Sequence, residues 1–244
     1  MNFFEYDVVK RREELRKENE KKALHLLKTS KTIDKKSNKV LNYVQYERCK
    51  ADICNDEGIN PEKFLETINS DKVRLRLFAK LIAKNASRQG ETIAREILSG
   101  INSITAPKGF SIEILANTAL RPLKSGGFQF DGKKTKNTLK TIDAFVKIDK
   151  TLGYIFAKVV VDDGGHQDNV ITEAEDFIKW SSNEPTDKLY IVLIDGSDDK
   201  KDKLKLSETE NIWIVNHKEL QEKAIEYAKS KETSGTVLHN QESV

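Results

Sequence analysis

The stretch Thr141-Ile142-Asp143-Ala144-Phe145-Val146-Lys147-Ile148, then Asp149-Lys150-Thr151-Leu152-Gly153, then Tyr154-Ile155-Phe156-Ala157-Lys158-Val159-Val160-Val161 decides the fold. The first eight residues read as a strand, and Asp149–Gly153 reads as a tight hairpin connection. Tyr154–Val161 is a run of mostly apolar β-formers, as expected of a central strand. One residue breaks that run. Lys158 sits in the middle of an apolar strand, where an ammonium is costly to bury unless it faces a carboxylate, a phosphate or water. Asp143 lies near the start of the paired strand, so the hairpin can bring the two side chains to one end of a sheet. A buried Asp–Lys ion pair with no chemistry is the plainer alternative.

Working outward, a polar loop at 162–168 leads into an amphipathic helix over 169–181. Leu189–Ile194 is a buried strand ending at Asp195-Gly196, Ile212–Val215 is another, and 217–230 is a final helix. Upstream, 111–115 and 127–130 read as short strands joined by a basic turn at 121–127. The first hundred residues read as all-helical: 3–29, 39–53, a helix opened by Asn60 and Pro61, 71–85, and a helix starting after Gly90. The expected fold class is α/β, a mixed β-sheet flanked by helices behind an N-terminal all-helical region. The expected division is a helical region at 1–85, an α/β core at 86–231 and a flexible tail at 232–244.

The chain has 244 residues, 33% of them charged, and a formal net charge of +3. Its apolar runs are strand-sized, and its first residues lack the basic-then-apolar form of a secretory signal, so a cytoplasmic protein with no membrane association is expected. Cys49 and Cys54 are badly spaced for a zinc pair and have no nearby histidine, which leaves two reduced thiols as the reading. Charge is unevenly spread. Residues 1–50 hold 14 Lys+Arg against 8 Asp+Glu, residues 107–140 hold 7 against 2, and residues 162–210 hold 6 against 14. Basic segments of this kind suit a polyanion. The Gly-rich phosphate loops, the dinucleotide fingerprint and the serine-hydrolase elbow are all missing, so no nucleotide cofactor is expected.

In its order of helix, acid-bearing strand, hairpin, lysine-bearing strand, helix and buried strands, the region 86–220 resembles the PD-(D/E)xK nuclease core of type II restriction endonucleases. That resemblance implies Mg2+ as cofactor, with Asp143 as the first metal-binding acid and Lys158 as the lysine that positions the attacking water. It also implies an acid two residues before the lysine, where this chain has Phe156. Three readings of that gap stay open. The acid has moved to the following helix, as Glu173 or Glu175; it is Asp162 or Asp163 at the end of the lysine strand; or the site is silent.

Two further fragments resemble the same family. Asp162-Asp163-Gly164-Gly165-His166-Gln167-Asp168-Asn169 is glycine-flexible and then dense in side chains able to read base edges, so His166, Gln167, Asp168 and Asn169 are candidate DNA contacts. A polar turn with a helix cap at Asp168 or Asn169 explains the same residues. Ser87-Arg88-Gln89-Gly90 is similar to a stretch that precedes the first core helix, which makes Arg88 and Gln89 candidate DNA contacts. A helix cap at Gly90 is the alternative there. The metal-ligand candidates are Asp143, Glu173 and Asp162. The expected activity is site-specific, Mg2+-dependent hydrolysis of double-stranded DNA by a homodimer, and the alternative is a catalytically silent DNA-binding or assembly protein of the same fold.

Overall fold

The computed structural model of the chain describes residues 6–83, 87–103, 109–115, 119–160, 165–196 and 208–239. Two compact units emerge: Lys10–Gly90, and Glu91–Val244 together with Met1–Val9.

The first unit is helical. It holds α1 (Val8–Thr29, whose first residues belong to the other unit), α2 (Tyr43–Glu57), α3 (Phe64–Ser70) and α4 (Lys72–Ile82). Tyr46, Phe64 and Phe78 meet edge to face at its centre, with Leu27, Leu41 and Ile82 fully buried around them. Cys49 and Cys54 are free and buried. Asp71 caps α4 by accepting from the N–H groups of Val73 and Arg74, and these two bonds hold its carboxyl below the usual range. Asn60 does not open α3 as the sequence suggests. Its side chain accepts from Glu62 N and its carbonyl from Lys63 N, a turn that delays the helix to Phe64.

The second unit is built on a five-stranded sheet in the order β1-β4-β5-β6-β7, from β1 (Ser111–Ile114), β4 (Ala144–Ile148), β5 (Thr151–Val160), β6 (Leu189–Gly196) and β7 (Ile212–Val215). β1, β4 and β5 are antiparallel neighbours, while β5, β6 and β7 run parallel. The hairpin is tighter than the sequence indicates, with Ile148 paired to Thr151 and only Asp149 and Lys150 between them. Asp149 takes φ 53°, a left-handed geometry that Asp tolerates. Helix α6 (Gly165–Ser181) covers one face, where Phe156 and Val160 of β5 and Val192 and Ile194 of β6 form one core with its Ala174, Phe177 and Ile178. On α7 (His217–His239), Leu220, Ala224 and Ala228 are buried, and Tyr227 meets Trp213 of β7. The architecture is therefore α/β with a mixed sheet flanked by helices. Among the described residues no helix is long and apolar enough to cross a membrane.

Several local expectations are corrected. Gly90 does not cap a helix, because α5 (Ser87–Ser103) runs straight through it. An internal glycine costs about 1 kcal/mol. Burial of Ile93, Ile97 and Ile101 along one face outweighs that cost. Part of the 121–127 segment is a strand. β2 (Leu120–Pro122) pairs with β3 (Phe128–Phe130) in a separate two-stranded sheet, so β3 does not partner β1. Pro122 is tolerated because a two-stranded ribbon has only edges. Helix α6 begins at Gly165 and not at 169, and α7 extends beyond Ser230 to His239.

Candidate active site

Strand direction assembles the site. β5, β6 and β7 run parallel, so their C-terminal ends share one edge of the sheet, the edge at which open α/β sheets bind ligands. β4 runs the other way, so Asp143, immediately before it, comes toward that edge and lies beside Ile155–Ala157 of β5. Asp143 is locked by its backbone, its N–H donating to Ile155 O and its carbonyl accepting from Leu115 N. Its Oδ2 accepts from Ala157 N at 2.8 Å. Burial pushes the Asp143 carboxyl above the usual carboxylate range. The Lys158 ammonium and the Ala157 N–H oppose that rise, and the charge of Glu91 adds to it.

Lys158 lies on β5 opposite Ile194 of β6. Its Nζ is 3.7 Å from Glu173 Oε2 and 4.4 Å from the centroid of the Phe156 ring. The ammonium so costly in an apolar strand is thus met by a carboxylate and an aromatic face. Lys140, which the sequence reading does not single out, holds the other oxygen of Glu173 at 3.1 Å. Ion pairs join Lys140, Glu173 and Lys158, and the Lys158 charge also acts on Asp143.

The position two before Lys158 belongs to the core. Phe156 is 1% exposed and stacks on Phe177 of α6 with centroids 5.3 Å apart and planes 15° from parallel. Of the two glutamates expected on α6, the structure brings Glu173 to the lysine. Glu175 lies about 200° further round the helix at 3.6 residues per turn, and no ion pair to it is seen among the described residues.

The other expected residues are placed as follows. Asp162 and Asp163 lie outside the described residues. His166, Gln167 and Asp168 occupy the first turn of α6 with their side chains outside the described set, and Asn169 is exposed one position further on. Asp168 and Asn169 are therefore inside the helix and do not cap it from outside. Arg88 is in the first turn of α5, its side chain also outside the described set. Gln89 is buried, 4% exposed, and its Oε1 has no hydrogen-bond partner among the described residues, so it is not presented to a base.

A second buried polar pair escapes the sequence reading. Asp195 of β6 sits at the same strand ends, and its Oδ1 accepts from His217 N at 3.3 Å and meets His217 Nδ1 at 2.5 Å. Tyr6 packs edge-on to the His217 ring and donates to Glu96. Both Asp195 and His217 are buried, so this pair ties the start of α7 to β6.

Among the described residues, no group of three or more His, Cys, Asp or Glu side chains could hold a metal ion. Mg2+ asks for less. One or two carboxylates suffice when waters and phosphate oxygens complete its shell. Asp143 meets that need, since among the described residues no hydrogen bond engages its Oδ1. Glu173 is a second carboxylate beside Lys158, with both oxygens paired to lysines. Comparison of the chain with protein-family models, curated proteins and solved structures gives no match.

Proposed function

We propose that the chain is a Mg2+-dependent endonuclease acting on double-stranded DNA, built on a restriction endonuclease-like core and working as a homodimer. The observation that carries this reading is the position of Lys158, paired with Glu173 and acting by its charge on Asp143, on a β-β-β-α-β arrangement. In this reading the acid absent from position 156 is supplied by α6 as Glu173.

Asp143 and Glu173 are the residues that would hold Mg2+, which when bound polarises the scissile phosphate and stabilises the charge that builds as water attacks. Lys158 orients the attacking water and offsets the negative charge of the phosphate. Lys140 keeps Glu173 turned toward the strand ends, and the Ala157 N–H keeps Asp143 in one rotamer. Two copies would act on the two strands of a symmetric site.

Supercoiled plasmid incubated with the protein tests the proposal. Discrete cleavage with Mg2+, its loss in EDTA and its loss in Lys158→Ala are expected. One observation favours a second reading, a nuclease-fold protein that binds DNA without cutting it: the Phe156 side chain occupies core space where the resemblance implies a metal-binding acid. DNA binding with no cleavage under any divalent cation would select that reading.

A further inference from the structure

Beside the Lys158–Glu173 cluster, the surface is hollowed into two adjoining cavities of about 460 and 470 Å³. They share Lys124, Leu139 and Asp176, so together they form one trough between α6 and the segment 124–140. Glu173, Asp176 and Trp180 line the α6 side. Their i, i+3, i+7 spacing puts all three on one helical face. The opposite wall carries Lys124, Lys134 and Lys136, with Lys140 at the end that touches Glu173.

The chemistry of the two walls differs. Lys124, Lys134 and Lys136 are exposed, and none has an ion-pair partner among the described residues. In the first cavity these three lysines and Lys140 outnumber Glu173 and Asp176, and an excess of positive charge raises the local potential and suits an anion. Of the acidic groups opposite, Glu173 is paired with Lys140 and Lys158 and Glu184 accepts from the N–H of Gly127, while Asp176 is exposed on the α6 wall. The segment 124–140 is pinned as well. Lys124 N donates to Asn137 O, Leu139 N donates to Pro122 O, and buried Thr138 takes the N–H of Thr135 on its hydroxyl. The lysines thus stand on a fixed wall.

We infer that this trough carries the phosphate backbone of one nucleic-acid strand and leads it to the Lys158–Glu173 cluster. The inference rests on the nuclease reading for the identity of the anion and deepens it by naming the path of the strand. From Glu173 to Trp180 the helix rises about 10 Å at 1.5 Å per residue. At about 3.4 Å of duplex axis per phosphate of one strand, that length matches about three phosphates. The three lysines of the opposite wall face it.

The test is a binding titration of the full chain with a fluorescein-labelled 30-base-pair duplex in EDTA over a range of KCl concentrations. Each phosphate that the protein no longer neutralises lowers the slope of log K against log salt by about 0.9. The triple variant Lys124→Ala, Lys134→Ala, Lys136→Ala is expected to lower the slope by about 2 to 3 and weaken binding at 0.1 M salt by at least tenfold. A variant removing Lys31, Lys35 and Lys36 of the helical unit is expected to keep the trough's share of the slope. Circular dichroism checks that the altered chains fold, as all three trough lysines are exposed. An unchanged slope in the trough variant, or no DNA binding by the unaltered chain, overturns the inference. Tighter, trough-dependent binding of poly-glutamate than of DNA also overturns it, assigning the wall to an acidic polypeptide. The two proposals fail separately. Trough-dependent binding without Mg2+-dependent cleavage sinks only the nuclease reading, whereas Lys158-dependent cleavage with an intact slope in the trough variant sinks only the trough.

Discussion

Phe156 of β5 and Phe177 of α6 stack with ring centroids 5.3 Å apart, and the Lys158 ammonium rests 4.4 Å from the centre of the Phe156 ring. The side chain two residues before the lysine therefore serves two purposes. It seals α6 onto the sheet, and it offers the lysine an aromatic face. A carboxylate at this position would lose the stacking and enter the core beside Phe177.

Phe156→Glu is accordingly expected to destabilise the fold strongly. Truncating a buried Phe costs about 3–5 kcal/mol, and a buried carboxylate adds to that. Phe156→Leu, which keeps an apolar filling, is expected to cost much less. Urea denaturation measures both, and a wild-type midpoint for Phe156→Glu would mean that position 156 is not sealed in the core.

The two α6 glutamates separate by geometry. Only Glu173 meets Lys158. Glu173→Gln is expected to lower Mg2+-dependent cleavage by roughly 100-fold or more while leaving DNA affinity within a few-fold. Glu175→Gln is expected to cleave at close to the unaltered rate. A reversed pattern, with Glu175 essential and Glu173 dispensable, would remove Glu173 from the site.

Asp143 gives a pH signature. Burial, the largest cause, raises its carboxyl above the usual range in the folded chain, against the pull of Lys158. The native state therefore holds this proton more tightly than the unfolded chain does. Stability from this group is full below the ordinary carboxylate value and is lost as pH rises through the raised folded value. Asp143→Asn, which keeps an acceptor for Ala157 N–H, is expected to raise Tm at pH 7 by roughly 2–4 °C. The gain is expected to vanish in acid, and cleavage to be lost at every pH. A Tm difference that is the same at acid and neutral pH would show that the Asp143 ionisation carries no such penalty.

Gly196 closes the C-terminal end of β6 against β5, paired with Val160. Its φ is 154°, and a Cβ there would fall 1.7 Å from Val160 O. Gly196→Ala is expected to cost roughly 1–3 kcal/mol and to loosen the strand ends that hold Lys158. Hydrogen exchange checks this, with faster exchange expected at the amides near the end of β5. Unchanged protection there would show that the backbone absorbs the methyl elsewhere.

The β-formers of 154–161, the two apolar runs at 189–194 and 212–215, and the helical pattern of the first hundred residues make the α/β class and most elements legible in the sequence. These signals are local. Alternation with period two and recurrence near 3.6 residues depend on neighbours along the chain. Elements whose local signal conflicts with packing are the ones the sequence misplaces. Gly90 suggests a helix end, yet the buried stripe Ile93, Ile97, Ile101 carries α5 through it. Pro122 and the paired glycines suggest a turn, yet Leu120–Pro122 finds β3 as a partner.

The candidate site divides the same way. Asp143 and Lys158 are linked by one short hairpin, so their meeting at one sheet edge is foreseeable from the chain. Glu173 over Glu175 is not, because the choice depends on which face of α6 meets β5. Nor are Lys140 and the Lys124–Lys134–Lys136 wall. Asp195 and His217, 22 residues apart, are joined only because β6 and β7 run parallel and α7 starts at their common edge. Sequence alone determined the residue types and the local geometry that carries them. The tertiary structure decided the partners, because a side chain's neighbours across a sheet or under a helix are set by packing between segments distant in the chain.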